Sequence, residues 1–412
     1  MSSALPSYAE AAAMVAACAR ELGPQAVSER IELEHALGRV LAASLGTDCD
    51  QPPFPRSTRD GFACRAAEAN THKQLKVAGA IHAGQPPAGP LPPQSAWEIM
   101  TGAAVPEGAD AVAMIEHVER TFDAIRLLRP RTLESGENIV PQGAEARAGD
   151  QVLAAGTRMG PQHIAQAAAC GHAVVEVSRR PRVAILTTGD ELVPVAATPS
   201  AGQIRNSNGV MLASLVDGAG GDPWILPTAA DNERALDDAL RKAITADMLL
   251  ISGGVSAGKF DLVEPALAKL GARFHFHGVR IQPGKPLVFG ELIHSSKTKK
   301  IFGLPGNPIS SAATFLLFGS RILGALAGHA NPGPRFALAQ LVKDVKGKSD
   351  LTRFVPSWCN FDPMAGELPE VNAVPSQGSG DLASFSHSNC FLVVPEGTDR
   401  LKAGSTVRIL LI

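Results

Sequence analysis

Two strand ends rich in acids and glycines lie between Arg182 and Asp261. The apolar run Arg182–Thr188 breaks into Gly189-Asp190-Glu191, and Met248–Ile251 breaks into Ser252-Gly253-Gly254-Val255-Ser256 ahead of Asp261. Adjacent carboxylates at a strand's carboxyl end suit Mg²⁺, which takes oxygen ligands and keeps waters. They equally suit a turn cap. The glycine run permits positive φ, so its backbone N–H groups can curl around an anion. Asp261, followed by Glu264 and Pro265, also reads as a helix N-cap, and the two roles are compatible. Pro283-Gly284-Lys285-Pro286 holds one ammonium between rigid residues, a fixed point charge for an oxyanion or else a solvated turn lysine. Gly303-Leu304-Pro305-Gly306-Asn307-Pro308 reads as strand end, turn and helix start, where N–H groups and helix dipole favour anions, although turn chemistry alone also accounts for it. Taken together, an anion-plus-metal site is the better explanation.

Such a site needs a rim. In open α/β sheets ligands bind outside the carboxyl ends of the strands, which would place both turns on one edge. Val210, Leu212, Leu215 and Val216 suggest a helix ending at Gly218, and Ala235 to Ile244 carries a second apolar stripe at helical spacing. Alternating strands and helices imply a mostly parallel sheet with right-handed crossovers. A last helix runs from Ile309 to Leu326. Phe274-His275-Phe276-His277 puts both histidines on one side of a strand; with no third ligand nearby, a structural role stands ahead of a metal pair.

Ahead of this block, Ser7-Tyr8-Ala9-Glu10 is a capping box opening a helix that Gly23-Pro24 should stop. Prolines 52, 53 and 55 make Asp48–Arg59 loop-like, and Gly84–Gln94 is a second loop before β-type runs at Val112–Met114 and Ile125–Leu128. Pro161 and Gly171 bracket another helix. The chain thus reads as an α/β multidomain protein. Residues 1–180 form linker helices with an inserted β-rich module at about 50–140; 181–328 form the central α/β domain; 329–412 form a small C-terminal β domain.

Bulk properties narrow the function. A net charge of −2, from 38 basic and 40 acidic residues, argues against a nucleic-acid binder. Six cysteines without a C-x-x-C pair suggest neither a zinc knuckle nor a disulfide framework. Without a secretory leader pattern or about 18 consecutive apolar residues, a cytoplasmic protein with no membrane role is expected.

The motifs Thr188-Gly189-Asp190-Glu191-Leu192, Ser252–Ser256 with Asp261, Pro283–Pro286 and Gly303–Pro308 stand in the order and spacing of a known family. Ala36–Ala42, Asp60-Gly61-Phe62-Ala63, Met100–Ala103 and Pro106–Val112 extend the match over nearly the whole chain. In these features the chain resembles the MoeA-type molybdopterin molybdenumtransferases. The resemblance implies a Mog-like central block and insertion of molybdenum from molybdate into adenylyl-molybdopterin, with release of AMP. It also implies a homodimer whose active site joins the central block of one subunit to the β-rich region of the other. A molybdopterin adenylyltransferase would be the upstream donor, and molybdoenzymes or their chaperones the recipients.

Residue by residue, the resemblance assigns catalysis to Asp261, Asp60, Glu191 and Lys285, and Mg²⁺ to Asp190, Glu191, Asp261 and Glu145. It assigns substrate contacts to Thr101 and Ser379, to Ser252, Gly253, Gly254 and Ser256, to Pro283 and Gly284, and to Pro305, Gly306, Asn307 and Pro308. Two alternatives remain: an adenylyltransferase of the Mog type, disfavoured by the long flanking regions, and a gephyrin-like or pterin-binding scaffold without catalysis. The chain departs from the family pattern at four places. Gln282 replaces a basic residue before Pro-Gly-Lys, Gly143-Ala144-Glu145 replaces Gly-Glu-Asp, Pro55–Arg59 replaces an Asp-Asn-Ser-Ala-Met run, and Asn206 stands where an acid is common.

Overall fold

A computed structural model describes residues 5–22, 27–71, 74–86, 89–254, 262–362 and 367–412. Helix Tyr8–Glu21 opens on the expected capping box. The Ser7 N–H donates to Glu10 at 2.7 Å, and the Ser7 hydroxyl accepts from the Glu10 N–H at 3.3 Å. Ala11, Val15, Cys18 and Ala19 form its buried stripe, which joins the core around helix Ser320–Leu326.

The β-rich module is a six-stranded sheet in the order Ala111–Met114, Gly61–Cys64, Ser95–Ile99, Leu75–Ile81, Ala124–Leu127 and Val118–Arg120. It hangs from a base in which Ser28–Glu32 pairs antiparallel with Val174–Ser178, next to helix Pro161–Ala169.

The central sheet runs Asp222–Ile225, Arg182–Thr187, Met248–Ser252, Lys297–Leu304, Val288–His294, Arg273–His277. Its first three junctions are parallel and its last two antiparallel. Both faces are covered, as a sheet of this kind requires. Val183 and Ile185 point into the core that holds helix Ser207–Gly218, while Ala184 and Leu186 face helices Glu233–Ala243 and Val263–Lys269.

Helix 308–326 contains a π-type turn at Phe315–Gly319. Among the described residues it alone is long and apolar enough to cross a bilayer, yet 78% of that window is buried inside the protein, as befits a core helix. Beyond it, five strands (Thr352–Asn360, Glu370–Ala373, Phe336–Leu341, Thr406–Leu411 and Cys390–Val394) close into a barrel, because the first also pairs with the last. Ile281–Gln282 of the central region joins this barrel by pairing with Thr352–Arg353.

One expectation fails. A bulge between Phe274 and Phe276 breaks the alternation of the strand, so the two histidines part. His275 stacks on Phe289 and lies 3.7 Å from Cys18 on the first helix, whereas His277 pairs with Glu264 at 2.6 Å. They share no metal site.

Candidate functional site

The rim begins where strand Arg182–Thr187 ends. Gly189, at φ +145°, lets the chain turn under the Glu191 carboxylate; a Cβ there would sit 2.5 Å from that carboxylate's oxygen. Beside it the Asp190 carboxylate accepts from the Asp231 N–H at 3.0 Å. Burial pushes the Asp231 carboxyl above its usual pKa, and the negative charges of Asp190 and Glu191 push it further. The charges of these three acids therefore act on one another at the carboxyl end of the sheet. Asp231 carries no recognisable motif; it reaches the rim because Ala229 bridges to Thr188.

This excess of negative charge fits a cation. Among the described residues no three His, Cys, Asp or Glu side chains are spaced as a ready metal site. Mg²⁺ does not need one, since one or two carboxylates with water and substrate phosphate oxygens commonly suffice. Asp261 and Ser256 lie outside the described residues.

The glycine turn is placed by close packing. Gly253 (φ +95°) would direct a Cβ to 2.7 Å from the Thr188 carbonyl oxygen, and Gly254 (φ +63°) one to 2.8 Å from Val263. Its role as an open anion nest is only partly met, because the Gly253 N–H already donates to the Leu304 carbonyl at 3.2 Å. Ser252 is 2% exposed. Its hydroxyl accepts from Asn208 at 2.9 Å and lies 3.2 Å from that of Ser311. Asn208 also donates to the Gly306 carbonyl at 2.6 Å. These contacts lock the 252–254 turn to the 305–306 turn.

A neighbouring cleft of about 500 Å³ collects the remaining rim motifs: Pro283, Gly284 and Lys285 on one side, Pro305 and Asn307 on another, and Ser379 from the C-terminal region. The Asn307 amide donates to the Ser379 hydroxyl at 2.9 Å, and the Ile309 N–H donates to the Ser379 carbonyl at 3.1 Å. Ser379 thus occupies an N–H at the start of helix 308–326, where Pro308 has none to offer. Lys285 is exposed and has no ion-pair partner among the described residues.

Sequence reasoning missed Arg353, which also lines this cleft. Its guanidinium donates to the Lys346 carbonyl, while its buried Nε finds no partner. An arginine in a β strand carries no local signal; only the pairing with Ile281–Gln282 brings it here.

Asp60, Thr101 and Glu145 do not line the cleft. On the β-rich module the Asp60 carboxylate accepts from the Thr101 N–H at 2.6 Å and from its hydroxyl at 2.7 Å, and these bonds hold its pKa below the usual carboxylate range. Glu145 forms an ion pair with Arg56 at 2.6 Å, and among the described residues no metal-spaced group joins it to Asp190 and Glu191.

Three family models tile the chain: "MoeA N-terminal region (domain I and II)" over residues 6–171, "Probable molybdopterin binding domain" over 184–325, and "MoeA C-terminal region (domain IV)" over 339–412. The chain belongs to the MoeA family. It is similar to the molybdopterin molybdenumtransferase of Nostoc sp., at 34% identity over 98% of this chain and 94% of the relative. Likeness to that of Bacillus subtilis is 35% identity over 94% and 90%. Among solved structures it is similar to the molybdopterin biosynthesis moeA protein of Pyrococcus horikoshii OT3, with a TM-score of 0.80, 30% identity, and 99% and 100% of the two chains covered.

Set against the MoeA pattern, three departures have local reasons. Gln282 has Arg353 as its register partner, so a cation stands beside the position that lost one. Glu145 is matched by Arg56, itself part of the altered Pro55–Arg59 run. Asn206 caps helix Ser207–Gly218 by accepting from the Gly209 N–H at 3.0 Å, and its amide donates to the Thr187 hydroxyl at 2.8 Å. An acid could cap, but an ionised one could not donate.

Proposed function

We propose that this MoeA family member is a molybdopterin molybdenumtransferase, which inserts molybdenum from molybdate into adenylyl-molybdopterin and releases AMP. The observation that carries the reading is the cleft where the Pro283–Pro286 and Pro305–Asn307 turns meet Ser379 and Arg353, next to the acidic rim. Full-length similarity to proteins named for this activity supports it.

The chemistry asks for charge control more than covalent help. Lys285 and Arg353 neutralise phosphate and molybdate oxygens, and the fixed turn between them orients the substrate. Asp190 and Glu191, with Asp231 beside them and Asp261, would hold Mg²⁺ against the substrate's phosphates. When bound, that ion supplies Lewis-acid polarisation of the phosphoanhydride. Asp60, Thr101 and Glu145 serve as the wall contributed by the second subunit of a homodimer. In this reading the enzyme is cytoplasmic, takes its pterin from an adenylyltransferase, and hands its product to molybdoenzymes or their chaperones.

The test is a metal-insertion assay with purified adenylyl-molybdopterin, molybdate and Mg²⁺, reading AMP release and reconstitution of an apo-molybdoenzyme. Tight pterin binding without AMP release would turn the reading to a scaffold.

A further inference from the structure

A second cleft, of about 700 Å³, opens where the first helix, the helix Ser320–Leu326 and the connection after it converge. Its walls are mostly small, including Ala16, Ala42 and Gly156, and no Asp or Glu lines it. Two guanidiniums do: Arg20, in the last turn of the first helix, and Arg321. Neither has an ion-pair partner among the described residues. Arg321 is held against Gly333, whose φ of +145° and missing Cβ leave room for it; a Cβ there would lie 2.6 Å from the guanidinium.

The third polar group is His329. Its Nδ1 accepts from the Asn331 N–H at 3.0 Å, so the proton of the neutral ring sits on Nε2. Burial, and then the charge of Arg158, lowers its pKa, which keeps the ring neutral at pH 7. The charged and imidazole groups of the cleft are therefore all donors. Two cations with no opposing carboxylate favour an anionic ligand, and guanidinium forks match phosphate oxygens best. The volume lies within the ~300–1,000 Å³ typical of small-molecule sites.

We propose that this cleft is a second anion site, distinct from the Lys285 cleft, which binds a phosphorylated small molecule of about mononucleotide size through Arg20 and Arg321. The site is independent of the reaction assigned above.

AMP is the probe, with adenosine as its phosphate-free control, and calorimetry on the full chain is the measurement. A Lys285→Met background weakens the other cleft. There AMP should still bind and adenosine should not. Arg20→Gln and Arg321→Gln should each weaken AMP by about tenfold or more, as expected for losing a hydrogen bond to a charged group. Arg321→Lys should retain part of the affinity. Melting curves identify any variant that fails to fold, and the exposed Arg20 then decides the matter. Unchanged AMP affinity in the folded Arg20→Gln/Arg321→Gln double variant would overturn the proposal. So would loss of all AMP binding on Lys285→Met alone.

Discussion

Gln282 and Arg353 are register partners in a two-residue parallel ladder, so the second cation of the Lys285 cleft comes from the C-terminal barrel. The turn that carries Lys285 need not supply it. Strand Ile281–Gln282 is shared between the central region and the barrel, which ties the Lys285 cleft to the seating of the C-terminal region.

Arg353→Gln should therefore weaken the substrate more than it weakens the fold. A lost hydrogen bond to a charged group is worth about 1.5–3 kcal/mol, or roughly ten- to hundredfold in affinity. Gln282→Lys in the same chain should restore part of it, since the two positions are adjacent. Equilibrium binding of adenylyl-molybdopterin to the single and double variants measures both effects; a double variant as weak as the single one would mean that position, not charge, matters.

Gly284→Ala should distort the Lys285 turn. Its φ is +110°, and a Cβ would lie 2.5 Å from the Thr314 methyl. The combined backbone and packing strain should be about 1–3 kcal/mol by denaturant melts. Thr314→Ser removes that methyl and keeps a hydroxyl able to donate to the Ser310 carbonyl, a bond now 2.7 Å long. It should recover the clash component and leave the φ component, giving partial rescue in a double-mutant cycle.

Asp381 ties together the segment that carries Ser379. Its carboxylate accepts from the Ser384 hydroxyl at 2.6 Å and from the N–H groups of Gln377 and Ser384 at 3.0 Å each, which pulls its pKa down to about 2. Because the folded pKa is depressed, the stabilisation is present above the unfolded value and disappears as pH falls through about 2. Asp381→Ala should therefore lower turnover through the Asn307–Ser379 contact while the core melts normally. NMR shifts of the Asn307 side-chain amide report it directly; an unchanged amide would remove the positioning role.

Lys300, 2% exposed, pairs with Glu291, which also lies 3.5 Å from His275. Burial pushes the Glu291 pKa up, but Lys300 and His275 outweigh it and leave the carboxyl below its ordinary range. That stability is present above the unfolded pKa and is lost as pH falls through the lower folded value. Lys300→Met should destabilise the protein by about 1–3 kcal/mol in denaturant melts, because it takes the main partner from a partly buried carboxylate. Adding Glu291→Gln should recover much of this loss.

Local patterns announced themselves in the chain. The Ser7–Glu10 capping box, the Pro161 helix start, the strands at 182 and 248 and the turns at 283 and 303 were legible because caps, periodicity and φ preference are properties of a few consecutive residues. The bulge at Phe274–Phe276 was not, since a strand's register depends on its neighbour and one extra residue puts the two histidines on opposite sides. Nor was the buried role of Ser252, which follows from Asn208 and Ser311 packing over it.

The sequence by itself determined the family, the layered α/β core and which turns would bear acids, glycines and Lys285. All of these follow from residue order and local conformational preference. Only the tertiary structure decided that Asp231 joins Asp190 and Glu191, that Arg353 stands beside Gln282, and that Ser379 seats on the helix after Asn307. These groups are separated by tens of residues in the chain, and their approach is set by sheet order and barrel closure, which no local stretch encodes.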